Sequence, residues 1–142
     1  MKRTLDQATF HIGRRCVRRL WLEDREGPRK SGHPTAPSKR REVLEAAVSA
    51  FPGARTGVQV RWGQLEVKAD ILVSEERGDR LIKVHAGTRP RARHWEDLAL
   101  QAWVLRSSGM RLSRTGILHL DRRHRLGRDG QPLFRWVERA VD

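Results

Sequence analysis

The segment from residue 65 to residue 120 alternates between strand-like and helix-like patterns, and this order constrains the fold more than any other feature. In chain order its parts are two apolar strand-like runs, an amphipathic helix and a further strand: residues 65–73, 81–85, 94–107 and 115–120. A strand that follows such a helix normally returns parallel to the strand before it. The two earlier runs lie close enough for a hairpin. We therefore expect an α/β fold with a small mixed central sheet flanked by helices.

The rest of the chain divides around this core. With 142 residues it suits a single domain, 1–142. Residues 1–22 predict a basic N-terminal helix, residues 23–37 are rich in Gly and Pro and predict a flexible loop, and residues 38–142 hold the core. Inside that core we also expect a helix, an early strand and a short terminal element, over residues 38–50, 58–61 and 133–141.

The charge of the chain is strongly positive. It has 30 Lys and Arg against 17 Asp and Glu, a formal net charge of +13, and this excess favours a polyanionic partner such as the phosphate backbone of DNA or RNA. The single cysteine, Cys16, excludes an intrachain disulfide and is interpreted as a small buried apolar residue. No apolar run approaches the length of a membrane span, so we expect no membrane partner and a cytoplasmic location.

Short motifs in the core add a resemblance. They are Ala69-Asp70-Ile71-Leu72 in one strand, Lys83-Val84-His85 in the next, Gln101-Ala102-Trp103 in the helix, and Ile117-Leu118-His119-Leu120-Asp121 after it. In this order they resemble the RecB-like branch of the PD-(D/E)xK nuclease superfamily. The resemblance implies a restriction-endonuclease-like core and, in active members, a Mg²⁺-dependent nuclease site.

The motif is degenerate at the positions that bind metal in that family. Asp70 matches the first acid, but Lys83 stands in place of the Glu and His85 in place of the Lys. A protonated Lys has no lone pair to offer a cation, and Mg²⁺ requires oxygen ligands. We therefore expect no metal cofactor, a salt bridge between Asp70 and Lys83, and a pseudonuclease rather than an enzyme.

An active enzyme is the alternative. Asp70 would then bind Mg²⁺ or Mn²⁺ together with relocated acids, Glu42 from the helix at 38–50 and Glu66 from the same strand as Asp70. His85 offers a second route as a general base or metal ligand, with His94 and His119 as neighbours whose positions the sequence does not determine.

Several residues are candidates for nucleic-acid contact. The first group precedes a helix start, where backbone N–H groups already favour anions, and consists of Arg89, Arg91 and Arg93. The second lies on the predicted N-terminal helix and consists of Arg14, Arg15, Arg18 and Arg19. Gln101 and Trp103 resemble the Gln-x-Tyr pair that touches DNA in the RecB-like branch, although Trp103 is equally well explained as a core residue.

The leading hypothesis is a nucleic-acid-binding protein on a degenerate nuclease fold, a non-cleaving subunit of a larger nucleoprotein assembly. The divalent-metal nuclease is the second hypothesis, and a scaffold that docks on an acidic protein is the third. The identity of the nucleic acid, DNA or RNA and single- or double-stranded, stays open at this point.

Overall fold

A computed structural model describes residues 4–26, 38–122 and 133–140 of the chain. Four helices and six strands occur in these residues. They are β1 (Leu5–Asp6), α1 (Gln7–Arg15), α2 (Val17–Glu26), α3 (Ser38–Ser49), β2 (Arg55–Trp62), β3 (Leu65–Glu75), β4 (Gly78–His85), α4 (Ala92–Ser107), β5 (Leu112–Leu120) and β6 (Phe134–Glu138).

All six strands belong to one mixed sheet. The mixed central sheet was predicted, but β1 was not, because its residues were assigned to the N-terminal helix. The strand order in the sheet is β1-β3-β4-β5-β6, with β2 also paired to β3. The β3–β4 and β5–β6 pairs are antiparallel, whereas β4 and β5 are parallel and connected through α4. The crossover inferred from the strand–helix–strand order is therefore present.

Helices cover both faces of the sheet. On one face, α4 buries Leu98, Ala102 and Leu105 against strand residues that include Leu81 and Ile117. On the other face, α3 contributes Val43 and Ala47 to a cluster of strand residues, among them Ile71, Ile82 and Leu118. Apolar burial on both faces explains why the inner strands are nearly continuous in Val, Ile and Leu. The predicted α/β fold class is confirmed.

The N-terminal region differs from the single helix predicted for residues 1–22. The side chain of Asp6 accepts a hydrogen bond from the N–H of Thr9 at 2.7 Å and caps the start of α1. At Cys16 the backbone becomes extended, with φ −158°, and the chain turns into α2. This turn brings Leu20 over Gly13, where a Cβ atom would lie only 2.7 Å from Leu20 Cδ2.

Two further expectations in this region are corrected. The side chain of Cys16 is exposed rather than buried, because it lies at the junction between two helices and not on an apolar stripe. The flexible loop predicted for residues 23–37 is wrong at its start, since residues 23–26 belong to α2. Residues 27–37 lie outside the described part of the chain.

The structure supports a stability prediction for the interface between α4 and the sheet. Leu98 is fully buried there, so Leu98→Ala should lower the free energy of unfolding by about 2–5 kcal/mol through lost burial and a residual cavity. Val17 is exposed, and Val17→Ala should change the free energy of unfolding by no more than about 0.5 kcal/mol. Urea titrations of both variants measure the difference. Equal losses would contradict this packing.

Candidate functional site

Strands β3 and β4 separate at Asp70. The last ladder pair before the separation joins Ile71 to Ile82. Residues two apart in a regular strand share one face, yet Ala69 packs beneath α4 whereas Ile71 packs on the α3 side. The strand is therefore irregular at the residue between them.

The carboxylate of Asp70 fills the gap that this irregularity opens. Its Oδ2 accepts a hydrogen bond from the N–H of Val84 at 2.9 Å, in place of a backbone carbonyl. One edge of β3 pairs with β2 over residues 65–72, and the other edge is divided between β4 and the short β1. Asp70 thus connects β3 to β4 beyond the point where their backbones pair.

Lys83 does not pair with Asp70, and that prediction is wrong. Its Nζ lies 3.7 Å from Oδ2 of Asp97 on α4. The side chain of Lys83 emerges on the α4 face, beside its ladder partner Ile117, whereas Asp70 is held by a backbone group within the sheet. Only 7% of Lys83 is exposed. Without a close carboxylate, a cation at such a nearly buried position would destabilise the fold.

The other oxygen of the Asp97 carboxylate binds a third element. Nε2 of His11, on α1, donates to Oδ1 of Asp97. Asp97 therefore joins α4 to β4 through Lys83 and to α1 through His11. The sequence predicted no role for His11 or Asp97, because a contact between residues 86 positions apart leaves no local pattern.

A pair of imidazoles in close contact, with their ring planes tilted by 44°, lies next to this carboxylate. The rings of His85, at the end of β4, and His94, in the first turn of α4, have centroids 4.0 Å apart. Nε2–H of His85 donates to the carbonyl of Arg89 at 3.1 Å. The N–H of Arg91 donates to Nδ1 of His94 at 2.8 Å, so the neutral His94 ring carries its proton on Nε2.

Both imidazoles resist protonation. Burial is the main cause that lowers the pKa of His94 to about 4, and the charges of His85, Arg93 and Lys83 lower it further. Burial also lowers the pKa of His85, together with His119, Lys83 and Arg93. The pair is therefore neutral near pH 7, although cations surround it.

These groups line a cleft of about 530 Å³, here called the first cleft. Elements α1, α3, β4 and α4 frame it. Among the described residues, its charged and titratable lining consists of four cations, Arg15, Arg40, Lys83 and Arg93, three imidazoles, His11, His85 and His94, and one carboxylate, Asp97. This excess of cations makes the cleft suited to an anion.

A second cavity, of about 430 Å³, opens on the other side of the loop at residues 86–91. Its polar lining includes Arg89, Arg122, Arg135, Asp121 and His119. Gly87 lines the first cleft, and the next residues of the loop line the second cavity. The two cavities are neighbours because His85 and His119 are ladder partners on β4 and β5.

The predicted arginine groups are divided between these places. Arg15 and Arg93 line the first cleft, and Arg89 lines the second cavity. Arg91 is exposed at the N-cap of α4, and Arg14 pairs with Glu96 at 3.0 Å. Arg18 and Arg19 are exposed on α2 and line neither of these cavities.

Gln101 and Trp103, which were predicted to contact nucleic acid together, differ in burial. Gln101 is 2% exposed, and its Nε2 donates to the carbonyl of Lys68 at 3.1 Å and to Gln7 at 3.2 Å. It therefore lies inside the fold, not on a contact surface. Trp103 is 46% exposed and meets Trp62 edge to face with centroids 4.9 Å apart, so its interpretation as a core residue is wrong.

The acids proposed for a relocated metal site do not converge. Glu42 is exposed on α3, and Glu66 pairs with Arg61 at 3.1 Å. Across the described residues, no group of three or more His, Cys, Asp or Glu side chains is placed to hold a metal ion. The donors at the motif positions do not fit Mg²⁺, since Asp70 is bound to a backbone N–H and Lys83 brings an ammonium group to Asp97.

Comparison with known proteins adds evidence on the fold alone. No protein-family model matches this chain, and no curated protein matches it. A solved structure, the crystal structure of SSO0001, aligns with 100% of this chain and 70% of its own, at 10% identity and a TM-score of 0.50. In the described part of this chain, no helix is long and apolar enough to span a bilayer.

The depressed pKa of His94 predicts how stability depends on pH. Its folded value of about 4 lies below the ordinary value of 6.5, so on acidification the unfolded chain takes up this proton first. The contribution of the neutral His94 to the free energy of unfolding is complete above about pH 6.5, and it is lost as the pH falls toward 4. Melting curves at about pH 7 and about pH 5 should show a smaller acid-induced drop for His94→Gln than for the wild type. Identical drops would show that His94 does not have this depressed pKa.

Proposed function

We propose that this chain binds a nucleic-acid strand through the first cleft and the second cavity. The observation that carries the proposal is the lining of the first cleft, where the described residues include four cations, Arg15, Arg40, Lys83 and Arg93, and one carboxylate, Asp97. Phosphate diesters are the abundant cellular anions that present such repeated charge, and Arg binds them through its planar fork.

The position of the second cavity supports a strand rather than an isolated anion. Arg89, Arg122 and Arg135 continue the positive surface across the loop at 86–91. A strand that crosses this loop brings one phosphate toward Arg93 and another toward Arg89. The net charge of +13 on the whole chain would add long-range attraction to the same partner.

The resemblance to RecB-like nucleases supports the part of the proposal that concerns cutting and assembly. A domain that keeps the basic surface of a nuclease but has Lys83 at a metal-ligand position would hold a strand without metal-dependent cutting. Its role would then be that of a non-cleaving subunit within a larger nucleoprotein assembly. An acidic protein is the competing partner, and the tests below distinguish the two.

The double variant Arg89→Ala/Arg93→Ala tests the binding surface. It removes one cation from each cavity and should weaken binding to all sequences alike, because phosphate contacts carry no sequence information. The slope of log affinity against log salt should flatten by about 0.9 per lost duplex contact, or about 0.7 per lost single-strand contact. Fluorescence anisotropy with labelled oligonucleotides measures both quantities.

Arg77→Ala is the matched control for this experiment. Arg77 is exposed in the β3–β4 turn, at the opposite end of β4 from His85, and it lines neither cavity. The control should keep the wild-type affinity and slope. An equal effect of both variants would indicate unspecific charge attraction, and no binding by the wild type would favour the acidic-protein partner.

Trp103 provides an independent test of single-strand binding. It lies six residues after Asp97 on α4, about 9 Å along the helix axis, and its ring is exposed. If it stacks on a base, Trp103→Ala should cost about 1–3 kcal/mol in single-strand affinity with the salt slope unchanged. Trp103→Phe keeps a ring and should lose less. Unchanged affinity in both variants would remove Trp103 from the binding surface.

A further inference from the structure

We propose that the first cleft cleaves RNA without a metal ion, with His85 and His11 transferring the protons and Lys83 stabilising the charge on the phosphate. This inference rests on the proposed nucleic-acid binding, and it replaces the non-cleaving role with a metal-free reaction on one class of nucleic acid. It arises from a combination that pure binding does not require, namely three imidazoles and one carboxylate among the cations of the cleft.

The reacting groups form two facing rows. Lys83 and His85 are two residues apart on β4, so about 7 Å separates them along one face of the strand. Asp97 and His94 are three apart on α4 and share one face of the helix. Lys83 meets Asp97 at 3.7 Å, and His85 meets His94 at 4.0 Å between ring centroids. His11 binds Asp97, so it lies at the Lys83 end of the rows.

His85 has the features of a general base. Its Nε2–H is held by the carbonyl of Arg89, which leaves the lone pair of the neutral ring on Nδ1. No described residue hydrogen-bonds this Nδ1. The neighbouring ring of His94 cannot replace it as the base, because its own Nδ1 already accepts from the N–H of Arg91.

His11 has the features of a general acid. Its Nε2 is bound to the carboxylate of Asp97, so the proton available to a substrate is the one on Nδ1. A carboxylate on one nitrogen fixes the orientation of the imidazole ring. Asp97 is thus a positioning residue, and its other oxygen lies 3.7 Å from Nζ of Lys83.

The reaction follows from these roles. Nδ1 of His85 takes the proton from a ribose 2′-OH, and the 2′-oxygen forms a bond to the adjacent phosphorus. The bond from phosphorus to the 5′-oxygen of the next nucleotide breaks, and Nδ1–H of His11 gives its proton to that oxygen. The products are a 2′,3′-cyclic phosphate and a free 5′-OH. No metal, oxidant or external nucleophile enters the balance.

The cations of the cleft stabilise the transition state. The pentacoordinate phosphorus carries more negative charge than the diester, and fixed positive groups stabilise developing charge best in a site that is partly shielded from water. Lys83 is such a group, since it is only 7% exposed and lines the cleft together with His11 and His85. DNA lacks the 2′-OH and should bind without being cut.

The substrate defines the first experiment. A DNA oligonucleotide with one ribonucleotide is incubated with the intact protein in excess EDTA, beside the all-deoxy and 2′-O-methyl forms. We expect cleavage at the ribonucleotide alone, with a 2′,3′-cyclic phosphate identified by mass spectrometry. Anisotropy on the all-deoxy form measures binding separately. Binding without cleavage would overturn this inference and leave the proposed function intact, whereas absence of binding would contradict both.

Variants assign the activity to the cleft. His85→Ala and His11→Ala should each lower the cleavage rate by about 10²–10⁴-fold, the usual contribution of one acid or base, while Arg77→Ala keeps it. A uridine 3′-(4-nitrophenyl phosphate) ester separates the two roles, because nitrophenolate leaves without a proton. His11→Ala should therefore regain most of its rate on this ester, and His85→Ala should not. Equal rates in all variants, or equal losses on both substrates, would overturn the assignment.

Discussion

The carboxylate of Asp97 is the contact on which the arrangement of the first cleft depends. One of its oxygens faces the nearly buried ammonium of Lys83, and the other accepts from His11. Removing this carboxylate would leave a buried positive charge without compensation, which is far more costly than losing an exposed ion pair. The same carboxylate connects the N-terminal helix α1 to the central sheet. His11 and Lys83, which are far apart in the chain, therefore contact the same side chain.

The separation of β3 from β4 explains why Asp70 and Lys83 do not pair. Opposite charges on neighbouring strands favour an ion pair. The irregularity at Asp70 instead turns its carboxylate to the backbone of Val84, and Lys83 points to the α4 face. Asp70 therefore has a structural role, because it connects β3 to β4 where their backbones do not pair. Lys83 instead contacts Asp97 on α4, and Asp97 in turn binds His11 on α1.

Burial and the positive charges of the cleft act in the same direction on His85 and His94: burial is the main cause that lowers the pKa of each imidazole, and the surrounding charges lower it further. The surrounding arginines and Lys83 attract anions, and the same charges keep His85 and His94 neutral by making a further positive charge unfavourable. A neutral imidazole retains a lone pair at the pH where arginine is fully charged. A basic cleft can thus hold a phosphate and also offer a proton acceptor, which is the combination that the proposed RNA cleavage requires.

Periodicity alone determined most of the fold. The apolar stripe of α4 and the apolar runs of β3, β4 and β5 are local patterns, and the order of these elements leaves few topologies. The sequence also located the basic character of the loop at 86–91. It did not reveal the turn at Cys16, where packing of Leu20 on Gly13 overrides a continuous helical pattern. Nor did it pair His11 with Asp97, because contacts between residues so distant in the chain exist only after α1 has packed beside α4, and no local pattern records that packing.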